Sequence, residues 1–344
     1  MAETSTAGVP PPPPGAIPPG SEGSRSSFDL LSFISTFGVF ITLVGCVVLF
    51  SVLDNDFAEI DNLRTQLGLA APLLMLSLGL TVVLAMEDFD LSIAGTLSAG
   101  GALIVVLIVN HDWPWGLAVL AGMVLGLVIG AVNGLLVSYM EMPSFITTLA
   151  TFLILLGVEY AISDGRNITG AADMPDLYRD LGVGKPEPWT EFTSPVWIAA
   201  GLAIILWVMM SRTELGRYMY AIGGNPEAAR LSGINVKALR ALGFVIVGFV
   251  AVIAAVLQTA RTASSIPGVG ISLLLSAYAA AFLGAAASGR GQFNIPGTVL
   301  GVIFLQTVQS GLTILGYDRD VLNISRGSIL VLAMFLTRLG AQRR

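Results

Sequence analysis

Few residues of this 344-residue chain have side chains that could do catalytic chemistry. Cys46 is the only cysteine and His111 the only histidine, which excludes an intrachain disulfide, a multi-cysteine metal site and most zinc or Ser-His arrangements. The two lysines, Lys185 in "VGKPEP" and Lys237 in "NVKALR", do not fit the GxxxxGK(S/T) loop that holds the phosphates of ATP. HExxH and GxSxG are absent as well. We therefore expect no catalytic residue, no metal, no cofactor on this chain and no enzyme activity of its own.

The composition places the chain in a membrane. Hydrophobic residues make up 54% of the sequence and charged residues only 12%, and the mean hydropathy is +0.81. Soluble domains carry roughly 25% charged residues, so a water-exposed globule is excluded. The net charge of -6 gives no reason to expect a nucleic-acid partner, and the lipid bilayer is the expected surrounding.

Asp90 stands in "MEDFDLSIAG", where two apolar segments meet. A central aspartate costs roughly 2.5–3.5 kcal/mol on insertion, so its carboxylate should face protein, water or the membrane interface. The carboxylate could cap a helix that begins at Leu91 or Ser92, line a substrate path, or act in a proton or cation relay. Glu87 and Asp88 beside it indicate a break between two spans at the interface.

Amide side chains also fall inside apolar segments, among them Asn133 after a glycine strip, and Gln306 and Gln309 three residues apart on one helical face. Amides hydrogen-bond the hydroxyl groups of neutral polar solutes, and they also join helices to each other. Together with Asp90, these amides form the predicted translocation path. Glu159, near the outer end of another apolar segment, is open between snorkelling to the interface and gating.

The apolar segments predict about ten membrane-spanning helices, because a span needs about 20 mainly apolar residues and lipid forbids unsatisfied backbone groups. The expected spans are 29–53, 63–86, 91–109, 115–139, 144–163, 195–211, 239–260, 270–288, 295–316 and 321–338. Residues 28–340 thus form one all-α integral membrane domain. Gly122, Gly126, Gly130 and Gly134 recur at four-residue intervals, which predicts a helix face packed tightly against another helix.

Charge in the loops orients the spans. The segment 212–240 contains five lysines and arginines, whereas 54–62, "DNDFAEIDN", is acidic and has none. With ten spans, 212–238 and both termini lie in the cytoplasm, and 164–194 forms a loop on the periplasmic side. Residues 1–27, which contain "VPPPPPGAIPPGSEGSRSS", are expected to be a disordered proline-rich cytosolic tail.

One short helix is predicted outside the spans, in "NPEAARLSG" at 225–233. Asn225 suits the N-cap and Pro226 the first helical position. Glu227 complements the positive end of the helix dipole, and Gly233 suits the left-handed residue after the helix. A helix of two turns is marginal alone in water, so it must be held by its own membrane domain or inserted into a separate cytosolic protein.

Four motifs together resemble the permease subunit of bacterial monosaccharide ATP-binding-cassette (ABC) importers, in the branch of ribose, xylose and related sugars. They are "FDLSIAGTLSAGGAL", "NGLLVSYMEMPSFITTLAT", "AIGGNPEAARLSGINV" and "ISRGSILVLAMFL", and they follow the family's order. The specific part is the third motif with "GRYMYAIGGN" before it. The chain departs from the family in having "EDFDLS" where "GGIDLS" is usual, and in its long 164–194 loop.

The resemblance implies a cobalamin-importer-like (type II) permease fold in the bacterial inner (cytoplasmic) membrane, importing a monosaccharide or similar small polyol. Residues 225–233 would be the coupling helix that docks on a cytosolic ABC ATPase, and that partner would carry ATP and magnesium. The expected contacts are Asn225, Pro226, Glu227, Ala229, Arg230 and Gly233. A second permease copy or a paralogue, and a periplasmic or lipid-anchored sugar-binding protein, would complete the importer. An ion-coupled secondary transporter of a small polar solute is the alternative.

Overall fold

The computed structural model describes residues 30–170, 173–184, 192–288 and 291–341. The segment 1–27, expected to be a disordered tail, lies outside the described residues. The helices are α1 (Leu30–Leu53), α2 (Ile60–Leu84), α3 (Ser92–Val109), α4 (Trp115–Gly134), α5 (Ser144–Ser163), α6 (Asp176–Val183), α7 (Ser194–Arg212), α8 (Glu214–Gly224), α9 (Pro226–Leu231), α10 (Val236–Thr262), α11 (Val269–Ala287), α12 (Ile295–Ile314) and α13 (Arg319–Ala341). A 3-10 turn (Asn55–Ala58), a π-helical turn that continues α4 (Leu135–Tyr139) and two strands, β1 (Ile168–Thr169) and β2 (Ser264–Ser265), complete the secondary structure.

Eight of these helices are long and apolar enough to cross a membrane, counted over the described residues. They are α2, α3, α4 with its π-helical turn, α5, α7, α10, α11 and α12. All eight coincide with predicted spans, and the two other predicted spans also fall on helices, α1 and α13. The chain is therefore a multi-pass membrane protein in which the helices make up nearly all of the described structure.

The spanning helices differ in how much of their surface other helices cover. In α2 and α3, 83% of the most apolar stretch is buried inside the protein, whereas in α5 and α7 the share is 22%. α3 is rich in small residues, as in "SIAGTLSAGGAL", so its neighbours approach it from several sides. α2 and α3 therefore form the centre of the bundle, and α5 and α7 present most of their surface outward.

The glycine strip on α4 packs against α10, as its four-residue spacing predicts. A Cβ at Gly126 would overlap the carbonyl of Gly248, and a Cβ at Gly130 would meet the carbonyl of Phe244 at 2.5 Å. Because side chains are missing along this line, the two backbones approach closely and gain van der Waals contact. The sequence predicted the packing face, and the structure supplies its partner helix.

The helix ends form two separate layers of contacts. At one end, β1 pairs antiparallel with β2, Ile168 lies opposite Ser265, and α6 packs on α10; this is named the hairpin end. At the other end, α8 and α9 follow α7 and precede α10; this is named the α9 end. Since α3, α4, α5, α7 and α10 each connect the two layers, the loops at 140–143 and 212–235 belong to the α9 end.

Two helices, α6 and α8, were not predicted, because they lie within the segments 164–194 and 212–238, which were expected to be loops. α6 buries Tyr178, whose hydroxyl is 2.6 Å from the hydroxyl of Thr259 on α10. α8 buries Met219 and Ile222 against the bundle. Such short helices are stabilised by tertiary packing and not by their own length, so a search for 20-residue apolar segments does not find them.

Candidate functional site

The short helix predicted at 225–233 is present as α9. Asn225 has an extended backbone, and its side chain accepts a hydrogen bond from the N–H of Ala228 at 2.9 Å, as expected of an N-cap. Pro226 occupies the first helical position, and Gly233 follows the helix with a φ of 85°. That left-handed backbone favours glycine, so Gly233 lets the chain turn from α9 into α10.

α9 has one buried side chain and one strongly exposed apolar side chain. Ala229 is 5% exposed and belongs to an apolar cluster with residues of α2, α7, α8 and α10. It therefore holds α9 on its own membrane domain, although the sequence analysis placed it among the contacts to a partner. Leu231 is 78% exposed and was not singled out from the sequence.

Glu227 and Arg230 form an ion pair on the exposed side of α9. Arg230 donates from Nη2 and Nε to the two carboxylate oxygens of Glu227, at 2.6 and 3.1 Å. The hydrogen bond from Arg230 lowers the pKa of Glu227, so the pair stays charged well below neutral pH. We name Glu227, Arg230 and Leu231 the α9 surface: one acid, one base and one exposed leucine on a capped helix.

Two backbone contacts fix α8, which leads into α9. A Cβ at Gly216 would overlap the carbonyl of Met210 at the end of α7, and a Cβ at Gly223 would overlap the carbonyl of Ala85 after α2. A residue with a side chain at either position would push α8 away from the bundle. The α8–α9 segment is thus attached to the ends of two spanning helices.

The start of α10 carries two cations, each paired with a carboxylate from another loop. Arg240 donates from Nε and Nη2 to the two carboxylate oxygens of Asp88, at 2.7 and 2.5 Å, and Asp88 is 2% exposed. Lys237 donates from Nζ to Glu141 at 2.8 Å, and this hydrogen bond lowers the pKa of Glu141. In the sequence, Asp88 indicates only a break between spans, because its partner lies 152 positions away.

Asp90 lies in a buried chain of hydrogen bonds that joins three helices. Its Oδ1 accepts from the backbone N–H of Ser92 at 2.8 Å and from the Ser92 hydroxyl at 2.5 Å. Asn133 on α4 donates from Nδ2 to the Ser92 hydroxyl at 2.7 Å, and Thr151 on α5 donates to Asn133 Oδ1 at 2.7 Å. We name these four residues the Asp90 network. The Asp90 carboxylate thus bonds the first N–H of α3, in line with the first of the three alternatives for it, although the N-cap residue itself is Leu91.

The segment just before α3 is held by side chains from α5 and α11. The backbone N–H of Phe89 donates to Ser144, that of Asp90 to the hydroxyl of Tyr278, and that of Leu91 to Thr148, at 3.0 to 3.2 Å. An unpaired buried N–H is costly, so these hydroxyls fix the path of the segment. They were missed in the sequence because a serine, tyrosine or threonine in an apolar span gives no sign of its partner.

The two glutamines of the predicted path lie on α12 and differ in their surroundings. Gln306 is 8% exposed, and Gln309 accepts a hydrogen bond at Oε1 from Arg326 on α13 at 2.5 Å. This hydrogen bond joins α12 to α13. Among the described residues, no hydrogen bond joins either glutamine to the Asp90 network. The structure therefore connects only Asp90 and Asn133 of the four predicted path residues.

Glu159 on α5 is fully buried near the hairpin end. Its Oε1 accepts from the backbone N–H of Gly268 at 3.0 Å, and Gly268 is the N-cap of α11. The side chain does not snorkel to the interface, which was one of the two alternatives. It joins the end of α5 to the start of α11, and a role in gating stays a prediction.

Comparison with known proteins places the chain in a family. The family model described as "Branched-chain amino acid transport system / permease component" matches residues 62–339. The chain belongs to this permease family. The permease is 33% identical to the ribose import permease protein RbsC of Escherichia coli (strain K12) over 297 residues, which are 86% of the permease and 91% of that relative.

Two further relatives cover the permease almost completely. It is 33% identical to the ribose import permease protein RbsC of Bacillus subtilis (strain 168) over 322 residues, which are 92% of the permease and 97% of that relative. It is 32% identical to the L-arabinose transport system permease protein AraH of Escherichia coli (strain K12) over 320 residues, 93% of the permease and 95% of that relative. The resemblance stated from the motifs is therefore confirmed, and the permease is a transport subunit.

Proposed function

We propose that this permease is the membrane-spanning subunit of an ATP-driven importer that moves a monosaccharide or a similar small polyol across the bacterial inner membrane. The observation that carries the proposal is the α9 surface, which presents Glu227, Arg230 and Leu231 on a capped helix fixed to the spanning helices. A leucine that is 78% exposed outside the membrane gains free energy when another protein covers it. That protein is, in this proposal, a cytosolic ABC ATPase.

The relatives support a sugar as the transported solute. The description of the family model names branched-chain amino acids, but relatives aligned over most of their length are named for ribose import and L-arabinose transport. A description shared by a broad family says less about the solute than individual relatives that are a third identical. The uncharged amide and hydroxyl groups beside Asp90 suit a neutral polyol better than an amino acid with its two charges.

The proposed topology has ten spans, with α1 and α13 added to the eight apolar helices, in a cobalamin-importer-like (type II) fold. The lysines and arginines of 212–240 support a cytoplasmic position for the α9 end and for both termini. The hairpin end, with the segment 164–194, then lies on the periplasmic side. Residues 1–27 are placed with the cytoplasmic terminus as a proline-rich tail.

Coupling is assigned to residues 225–233, inside the cytosolic segment 212–238. Glu227, Arg230 and Leu231 would contact the ATPase, while Asn225, Pro226 and Gly233 set the ends of the helix and Ala229 anchors it. ATP and magnesium would bind the partner, and closure of two ATPase subunits would push α9 toward the bundle. Such a rigid-body switch changes which end of the bundle is open.

The solute path is assigned to the region of Asp90 and Asn133, with Gln306 and Gln309 on α12 as further lining residues. The Asp90 network supplies buried amide and hydroxyl groups toward the α9 end of the bundle. A second permease copy or a paralogue would supply the other half of the path. A periplasmic or lipid-anchored sugar-binding protein would deliver the solute at the hairpin end.

The first test is co-purification of the tagged permease from mild detergent, followed by mass spectrometry. We expect an ABC ATPase with the intact chain and a strong loss of that ATPase with Leu231→Asp or Glu227→Arg. Glu214→Gln is the matched control, because Glu214 forms an exposed ion pair with Arg217 on α8 at 3.5 Å and lies outside the α9 surface. Size-exclusion chromatography shows whether each variant remains folded.

Uptake into vesicles that contain the complete importer then identifies the solute. We would compare D-ribose, L-arabinose, D-allose and L-leucine, each radiolabelled, with and without internal ATP. ATP-dependent uptake of one of the sugars is the expected result. ATP-dependent uptake of L-leucine alone would overturn the sugar assignment, and uptake that needs an ion gradient and no ATPase would favour the secondary transporter.

A further inference from the structure

One buried ion pair lies between the proposed coupling element and the Asp90 network. We propose that Asp88 and Arg240 are a positioning pair for transport, whose contact transmits movement of α9 to the junction of α2 and α3. This inference rests on the proposed function, because it requires an ATPase that moves α9. Asp88 and Arg240 lie outside both the α9 surface and the proposed solute path. In this inference the pair joins that surface to that path.

The connection from α9 to Arg240 is short and stiff. The N–H of Ile234 donates to the carbonyl of Ala229 at 3.1 Å, which ties the linker after α9 back onto that helix. Asn235 then caps α10 by accepting from the N–H of Ala238 at 3.1 Å. Arg240 follows within the next helical turn of α10. A displacement of α9 therefore reaches Arg240 with little chance of being absorbed by the linker.

The connection from Asp88 to the Asp90 network is equally constrained. Each backbone N–H from 86 to 92 donates a hydrogen bond, to α2 carbonyls, to hydroxyls of α5 and α11, or to the Asp90 carboxylate. Glu87 also holds a left-handed backbone with a φ of 62°, which fixes the turn after α2. Because the whole junction is bonded, a force on Asp88 moves it as one piece.

Burial distinguishes this pair from the other ion pairs of the α9 end. The Asp88 side chain is 3% exposed and that of Arg240 29%, whereas Lys237 and Glu141 are 50% and 72% exposed. Solvent and salt weaken an exposed pair, but a buried bidentate pair keeps both its strength and its orientation. The two hydrogen bonds of the guanidinium also fix the angle between α10 and the junction, which a single contact would not do.

The test follows the junction directly and needs no knowledge of the solute. In the full-length chain, Cys46→Ala removes the only thiol, and Ser144→Cys places a new one beside Phe89, where the Ser144 hydroxyl accepts the Phe89 N–H at 3.2 Å. This permease is co-purified with its ATPase and reconstituted in lipid vesicles. The labelling rate of Cys at 144 by a polar maleimide is measured without nucleotide and after trapping with ATP and vanadate, beside the rate of ATP hydrolysis.

We expect the labelling rate to differ between the two states in the parent protein. In Asp88→Asn and Arg240→Gln, this difference should shrink by about tenfold or more, since the changes leave the half-buried Arg240 guanidinium or the buried Asp88 carboxylate without its charged partner. Binding of the ATPase and ATP hydrolysis should persist. Arg240→Lys keeps the charge but loses the two-point contact, and should give an intermediate difference.

Several results would overturn the pair as a transmitter. One is an equal labelling rate in the two nucleotide states of the parent protein. Another is a rate difference in the single variants that equals that of the parent. The third is a loss, by the same factor, of both the rate difference and the ATP hydrolysis in a single variant. Where a single variant does not fold, Arg240→Lys decides, since lysine keeps the charge at position 240 and a difference equal to that of the parent protein would contradict the need for the two-point contact. Glu141→Gln, which breaks the exposed pair with Lys237, should leave the difference intact. Failure of the parent protein to bind any ATPase would count against the proposed function instead.

Discussion

The α9 end and the hairpin end of this bundle are held together by different kinds of contact. At the α9 end, charged pairs join two loops to the start of α10: Asp88 to Arg240 and Glu141 to Lys237. At the hairpin end, the contacts between elements that the described residues show include the neutral hydroxyl pair of Tyr178 and Thr259 and the two-residue strand pairing. Glu159 is an ionisable residue, but its partner there is a backbone N–H.

The difference matters for movement. The exposed pair of Glu141 and Lys237 can exchange its partner for another charged group when a second protein approaches, whereas Asp88 and Arg240 stay paired and move with the elements they join. A neutral contact packed backbone to backbone has no such substitute and is lost only when the elements separate. The hairpin end is therefore suited to remain fixed while the α9 end rearranges, and three variants can test how far this contrast holds.

The largest effect is expected at the hairpin end, for Gly182→Val in α6. A Cβ at Gly182 would overlap the backbone N of Arg261 on α10, so the side chain forces α6 off the bundle, at a cost of about 3 kcal/mol. The measurement is the temperature at which the detergent-solubilised permease leaves its monodisperse size-exclusion peak. Gly201→Ala in α7 is the control, because a Cβ there meets nothing within 4 Å, and it should keep or raise that temperature. An unchanged temperature for Gly182→Val would mean that the contact of α6 with α10 contributes little to the stability of the bundle.

A smaller and local effect is expected at the α9 end, for Asn225→Ala. Loss of the side-chain hydrogen bond to Ala228 should destabilise α9 by about 1 kcal/mol without unfolding the bundle. Hydrogen exchange of the Ala228 amide should accelerate about fivefold, whereas amides in the middle of α10 should keep their rates. Asn225→Ser retains a capping oxygen and should exchange almost as slowly as the parent. If the Ala228 amide exchanges at the same rate in Asn225→Ala and Asn225→Ser, the capping oxygen does not stabilise α9 and the burial of Ala229 alone holds the helix.

The smallest effect is expected for Glu141→Gln, which removes the exposed pair with Lys237. Pairing lowers the pKa of Glu141 below its ordinary value of 4.5, so the pair stabilises the folded state above that pH and the contribution disappears as the pH falls through the lowered pKa. The variant should therefore be slightly less heat-stable than the parent at neutral pH and low salt. The two proteins should converge in acid and in high salt. A difference that persists in both conditions would show that Glu141 acts through packing.

Local features of this fold were predictable from the sequence, but which side chains of a short helix point toward the bundle was not. The ends of α9 followed from Asn225, Pro226 and Gly233 because capping involves residues only a few positions apart. The spanning helices followed from runs of apolar residues. Whether Ala229 or Leu231 points to the bundle depends on how α9 sits on α2 and α8, and a six-residue helix carries too little periodicity to show it.

The polar contacts between helices were predicted least well. Asp90 and Asn133 were found as unusual residues in apolar segments, but the hydroxyl of Ser92 that joins them was not. Asp88 and Arg240 each have an ordinary explanation as interfacial charges when read alone. Their pairing depends on the angle at which α10 passes the end of α2, which no spacing within one helix encodes.

The two glycine contacts of α8 restrict how the α8–α9 segment can move. Gly216 and Gly223 are seven residues apart, almost two helical turns at about 3.6 residues per turn, so both contacts lie on one side of α8. Close packing at both points hinders α8 from sliding along its own axis more than from rotating about it. We therefore expect a push on Leu231 to rotate α8 against the carbonyls of Met210 and Ala85.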